Sequence, residues 1–232
     1  MTENFIRQIK LDESDSSAYP FSIPAVLAIE SLHFTNPVTF LVGENGSGKS
    51  TIIEAIAVAA GFNAEGGTKN YSFSSVDTTS SLHENITLVR GARKETYGYF
   101  LRAESFYTTA NYSNSVDLKF NGKSLHEQSH GEAFLSILSS FRPGLFIFDE
   151  PEAAFSPQRI LTLMVEIQRL TQQGSQFIIA THSPILLAFP DATIYQLSES
   201  GIQHTKYDDI DHVKLSRDFL SNPEVYLKHL LS

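Results

Sequence analysis

Gly43, Glu44, Asn45, Gly46, Ser47, Gly48, Lys49 and Ser50, followed by Thr51, stand in the order G-x-x-x-x-G-K-[S/T]. Few patterns of this length commit a chain to so definite a local structure. The spacing needs a buried strand that stops abruptly, a loop whose backbone N–H groups wrap phosphates, and a helix whose positive end points at them. Glycines allow the wrap because they adopt backbone conformations that side chains oppose. Lys49 would set a cation on the β- and γ-phosphates, and Ser50 would give a hydroxyl to Mg²⁺. Both flanks are present. Val38 to Val42 is a short apolar run, as in a buried parallel strand. After Lys49, Ile52, Ile53, Ile56, Ala59 and Ala60 share one helical face until Gly61 ends it. ATP and Mg²⁺ are the expected ligands.

The rest of the chain supplies the frame. Phe5 to Leu11 alternates like a half-buried strand, Ser14 to Pro24 reads as a loop, and Ala28 to Phe34 reads as a second strand. Asn63 to Ser81 is polar and rich in Gly and Ser, a loop. Ile86 to Val89 and Tyr97 to Leu101 read as a hairpin, with the basic cluster Arg90, Arg93 and Lys94 solvated in its turn. Ser105 to Gln128 is weakly patterned, and a helix is predicted from Ser129 to about Phe141. Pro157 opens another, with Ile160, Leu163, Met164, Ile167 and Leu170 at helical spacing and Gly174 as its stop. Strands at Thr193 to Leu197 and Ile202 to Lys206 flank a turn, and a last helix covers Pro223 to Leu231. Alternation of strand and helix in the centre, with hairpins at the edges, predicts an α/β fold: a mixed sheet with a parallel core.

Two further strands end in chemistry. Leu145 to Phe148 is apolar and runs into Asp149 and Glu150. The carboxyl ends of such strands are where open α/β sheets bind ligands. Asp149 would hold Mg²⁺ through water, and Glu150 would orient or deprotonate the attacking water. Phe177 to Ala180 is followed by Thr181-His182-Ser183, which would bring His182 to the same edge to donate to the γ-phosphate. Ser129 and Glu132 form an S-x-x-E capping box around Gly131, and such a helix start is also an anion site. His126-Glu-Gln-Ser-His130 matches the zinc-protease pattern H-E-x-x-H. That chemistry needs both histidines on one helical face, and a helix starting at Ser129 separates them, so no zinc is expected.

In this order the motifs resemble those of the ABC-type ATPases: Gly43 to Ser50 as Walker A, Ser129 to Glu132 as signature, Asp149 and Glu150 as Walker B, His182 as switch histidine. Within that class the chain looks most like small soluble ATPases near the SMC-type and RecF-like branch, on the strength of Phe40 to Thr51, Asp149-Glu-Pro-Glu-Ala153 and Ala180-Thr-His-Ser-Pro184. Transport ATPases more usually carry Thr or Ser after Asp-Glu-Pro, and Asp after the histidine. Gly61-Phe-Asn, Leu101 to Phe106 and Asp218 to Pro223 also look family-like. The chain departs from the family pattern at the signature, which reads Gln128-Ser-His-Gly-Glu132. Glu104 is the best substitute for the glutamine that enters the helical lobe, and Ser156 stands for the D-loop aspartate. Tyr19 and Phe21 are both candidates to stack on adenine.

The resemblance implies one P-loop NTPase domain of ABC type over residues 1–232, with a small helical lobe at about 105–140. It implies a dimer with each ATP held between Lys49 of one copy and Ser129 and Gly131 of the other. Catalysis would fall to Lys49, Glu150 and His182. The residues between Ser50 and Ser129 lack heptads, which excludes a long coiled-coil arm. Acids outnumber bases, 26 to 17, for a net charge of −9. Nucleic acid as a partner therefore has no support from charge. No run reaches a membrane span's ~18 apolar residues, no apolar leader follows Met1, and cysteine is absent. The expectation is a soluble, cytoplasmic ATPase switch in DNA maintenance or defence. The alternative is the nucleotide-binding subunit of a membrane transporter.

Overall fold

A computed structural model describes residues 3–12, 18–69, 80–102, 119–120, 123–124 and 138–231. Its centre is a six-stranded sheet. In chain order the strands are β3 (Val38–Gly43), β5 (Gly98–Arg102), β8 (Leu145–Asp149), β9 (Gln176–Ala180), β10 (Thr193–Ser198) and β11 (Gly201–Thr205). They lie side by side as β11-β10-β3-β9-β8-β5, all parallel except the edge strand β11. β8 and β9 are buried at every residue, and β3 at every residue but Gly43. Unbroken apolar runs are what strands covered on both faces require.

Helices close both faces. On one side lie α1 (Pro24–Leu27) and α2 (Lys49–Ala59), whose Ile52, Ile53 and Ile56 meet Leu41, Ile147 and Ile178 of the sheet. On the other lie α3 (Pro157–Gln172), α4 (Pro184–Leu187) and α5 (Asp211–Ser221). There Leu163, Ile167 and Leu170 pack with Phe40, Phe146 and Phe177. The chain ends in α6 (Pro223–Leu230). The mixed sheet with a parallel core is thus as the patterning predicts.

A second, three-stranded antiparallel sheet has the order β2-β1-β4, from β1 (Ile6–Leu11), β2 (Leu32–His33) and β4 (Ile86–Arg90). Residues 119–120 and 123–124 form a further two-stranded ladder, β6 and β7. Gln176, buried at the start of β9, joins the two larger sheets. Its Oε1 accepts from Ile6 N at 2.9 Å and its Nε2 donates to Ile6 O at 2.8 Å. The register of β1 against β4 shifts between Ile6 and Gln8, so Gln176 serves Ile6 where the ladder is irregular.

Two sequence expectations are corrected. Ile86 to Val89 and Tyr97 to Leu101 do not form a hairpin. β4 pairs with β1 and β5 with β8, in different sheets. The basic turn is accordingly not simply solvated: Arg90 donates to buried Glu95 at 2.7 Å, and the Arg93 guanidinium lies 5.0 Å from the centre of the Phe5 ring. The strand expected over Ala28 to Phe34 shrinks to Leu32–His33, and α1 begins at Pro24, the last residue of the expected loop. The helical lobe at about 105–140 lies almost wholly outside the described residues.

Candidate active site

The site grows from strand register. Leu41 of β3 is level with Ala180 of β9, and Ala180 is level with Asp149 of β8. Gly43, Asp149 and His182 therefore leave one edge of the sheet within a few residues of each other.

Gly46 and Gly48 take φ values of +81° and +96°, the left-handed region open to glycine. Gly43 is held differently: a Cβ there would stand 2.5 Å from Leu197 O of β10. Lys49, the first residue of α2, is buried, and its Nζ donates to Gly43 O and Glu44 O at 2.8 Å each. Burial lowers its pKa from the ordinary value, opposed by the charges of Glu150, Asp149 and Glu152.

Ser50 Oγ donates to Asp149 Oδ1 at 3.1 Å. Burial pushes the Asp149 carboxyl up to about 6. The hydrogen bond from Ser50 opposes the rise, the charge of Glu150 adds to it, and Arg102 and Lys49 oppose it. The Ser50 and Asp149 oxygens form a hard donor set that fits Mg²⁺.

Glu150 has φ +48° and ψ +55°, an uncommon conformation for a side-chain-bearing residue and one that concentrates at functional sites. Its N–H donates to Ala180 O at 3.0 Å. Its Oε1 lies 3.3 Å from His182 Nε2, within ion-pair range but without hydrogen-bond geometry. Glu152 Oε1 accepts from the His182 backbone N–H.

Tyr19 is exposed, with its hydroxyl 3.5 Å from Thr51 Oγ1 at the start of α2, whereas Phe21 is packed in the core. Beside Gly43 to Ser47 opens a cavity of about 940 Å³, whose wall includes His182, Leu197 and His212.

The structure thus brings together Gly43 to Thr51, Asp149, Glu150 and His182. Glu104, Ser129 and Gly131 lie outside the described residues, as do His126 and His130. Sequence reasoning assigned no role to Glu152, Arg102 or His212. Glu152 stood in the quoted Asp-Glu-Pro-Glu run. Arg102 could be placed only through the pairing of β5 with β8, which sets it level with Asp149. His212 had no signal, because it reaches the cavity from α5, far along the chain.

Residues 28–178 match a family model described as an AAA domain. The chain belongs to the AAA-domain family. Solved structures similar to this AAA-domain protein include cbiO1 from Clostridium perfringens, described as part of the ABC transporter complex cbiONQ. The match has a TM-score of 0.53 and 15% identity and covers 99% of each chain. The SMC head domain from Thermotoga maritima matches with TM-score 0.50 and 15% identity, over 87% of this chain and 99% of that one. A SmcHead bound to the C-winged helix domain of ScpA matches with TM-score 0.53 and 14% identity, over 87% and 97%. At such identities the likeness is one of fold, and it is the P-loop fold of ABC-type cassettes and SMC heads. None of the curated proteins is similar enough to the chain to count as a relative. Among the described residues no helix is long and apolar enough to cross a membrane.

Proposed function

We propose that this AAA-domain protein binds ATP with Mg²⁺ at Gly43 to Thr51, hydrolyses it, and is joined to a second copy by the bound nucleotide. The observation that carries the reading is the convergence of Lys49, the Ser50–Asp149 pair and the Glu150–His182 pair on one sheet edge. Lys49 exchanges its carbonyl partners for the β- and γ-phosphates, and the backbone N–H groups around Gly46 and Gly48 wrap them. Ser50 and Asp149 would hold Mg²⁺, which when bound neutralises charge on the phosphate oxygens. Glu150 orients the attacking water and accepts its proton. His182, held at its backbone by Glu152, donates to the terminal phosphate. Tyr19 is the better placed of the two aromatics to stack on adenine. Ser129 and Gly131 of the second copy would cover the same ATP, with Glu104 contributing from the entry to the helical lobe.

We assign this engine to a cytoplasmic ATPase switch in DNA maintenance or defence, on the likeness to SMC heads. Likeness over the whole chain to cbiO1 supports a second reading, the nucleotide-binding subunit of a transporter. A membrane partner that co-purifies in detergent would favour that second reading. The engine itself is tested by turnover and binding together. Glu150→Gln should bind Mg-ATP like the unaltered chain and lose about 10²–10⁴-fold in turnover. An unaltered chain that cleaves no ATP, or a variant that cleaves it at full rate, would contradict the assignment.

A further inference from the structure

Buried polar atoms are normally hydrogen-bonded, and the exceptions call for a reason. Among the described residues, Ser47 Oγ, His182 Nε2 and His212 Nε2 are buried without a hydrogen-bond partner, His182 Nε2 lying 3.3 Å from Glu150 Oε1, and all three residues line the cavity beside the P-loop. Glu152 Oε2 is a fourth such atom, on the side chain that holds the His182 backbone. The two imidazoles lie 6.3 Å apart between ring centres, inclined at 55°. His182 comes from the end of β9 and His212 from α5, so two separate elements bring an imidazole to the wall of one cavity.

The surroundings select what can enter. The loop from Gly43 to Ser47 offers backbone N–H groups, and Lys49 lies close enough to disfavour a proton on His212, though less than burial and His182 do. Glu44, Glu199 and Asp211 line the same cavity, and groups of three or more metal-ligating side chains are absent among the described residues. An oxygen-rich anion fits, because it can accept from several donors at once. The Tyr19–Thr51 end of the P-loop is the end for the base. The Gly43–Ser47 end, beside Glu150 and His182, is the end for the last phosphate.

We infer that His212 is a second phosphate-binding histidine, donating from Nε2 to the terminal phosphate of a nucleoside triphosphate and so distinguishing triphosphate from diphosphate. The inference rests on the P-loop reading above and adds a residue to it. The test is calorimetric titration with Mg²⁺ and either the non-hydrolysable imido analogue of ATP or ADP. The unaltered chain, His212→Ala and His212→Gln are compared, with thermal midpoints as the check on folding. His212→Ala should weaken the triphosphate analogue about tenfold or more, as for loss of a hydrogen bond to a charged group, and leave ADP unchanged. Gln keeps a donor and should recover part of the loss. Parallel weakening of both nucleotides, or no change in either, would overturn the inference. An unaltered chain that binds neither would overturn the P-loop reading, and this one with it.

Discussion

Asp149 is an acid kept at a cost. Its carboxyl is buried beside Glu150 and titrates at about 6 instead of the ordinary 3.8. The folded chain therefore holds this proton to a higher pH than the unfolded chain does. Stability falls as pH rises from about 4 to about 6 and stays lowered above that, by up to about 3 kcal/mol. Asp149→Asn should accordingly raise the thermal midpoint of the nucleotide-free protein at pH 7, with the gain vanishing below about pH 4. A variant less stable than the parent at pH 7 would show that the charge is not a burden. Lys49 gives a second expectation at this scale. Lys49→Ala should lower ATP affinity on the order of a hundredfold, since the proposed charge-assisted contact to two phosphates would be lost; titration at unchanged affinity would contradict it. These residues were legible because spacing marks a P-loop, and an apolar run ending in two acids, weak by itself, becomes a strong signal downstream of one. His212 and Arg102 were not, because what makes them interesting is a neighbour distant in sequence.

The elements divide in the same way. β3, α2, β8, α3 and β9 carry their own signals: apolar runs of strand length, a helical stripe, a proline start and a glycine stop. β4 and β5 were also recognisable as strands, but their partners were not. Two adjacent strand-like runs with a basic turn look like a hairpin, and only the sheet decides otherwise: β4 covers β1, while β5 extends the parallel core. α5 was not read from the sequence, and Val213 is its one buried side chain. Gln176 bears the join between the sheets, and Gln176→Ala would leave the N–H and C=O of Ile6 without their partner. We expect it to cost roughly 3 kcal/mol in urea unfolding. A cost under about 1 kcal/mol would mean that water replaces the side chain. Gly43→Ala should be damaging for another reason, the 2.5 Å approach of its Cβ to a β10 carbonyl. Backbone cannot give way as a side-chain tip can, so about 1–3 kcal/mol and loss of nucleotide binding should appear together.

For the whole molecule, the claim is that nucleotide state sets assembly. An ATP that touches two copies must favour the pair by the free energy of the contacts it makes across the interface. A pair related by a two-fold axis has two such sites. On the proposed roles, Glu150→Gln would preserve the shape of the site while removing the proton acceptor, so that ATP should stay uncleaved and the assembled state should accumulate. The direct measurement is light scattering of Glu150→Gln with and without Mg-ATP, alone and combined with Ser129→Arg. The account predicts a monomer without nucleotide, a dimer with it, and a monomer again when Arg at position 129 blocks the second copy from the terminal phosphate. A chain that binds ATP yet stays monomeric throughout would contradict the account, and a dimer indifferent to the change at Ser129 would contradict its placing of the signature helix.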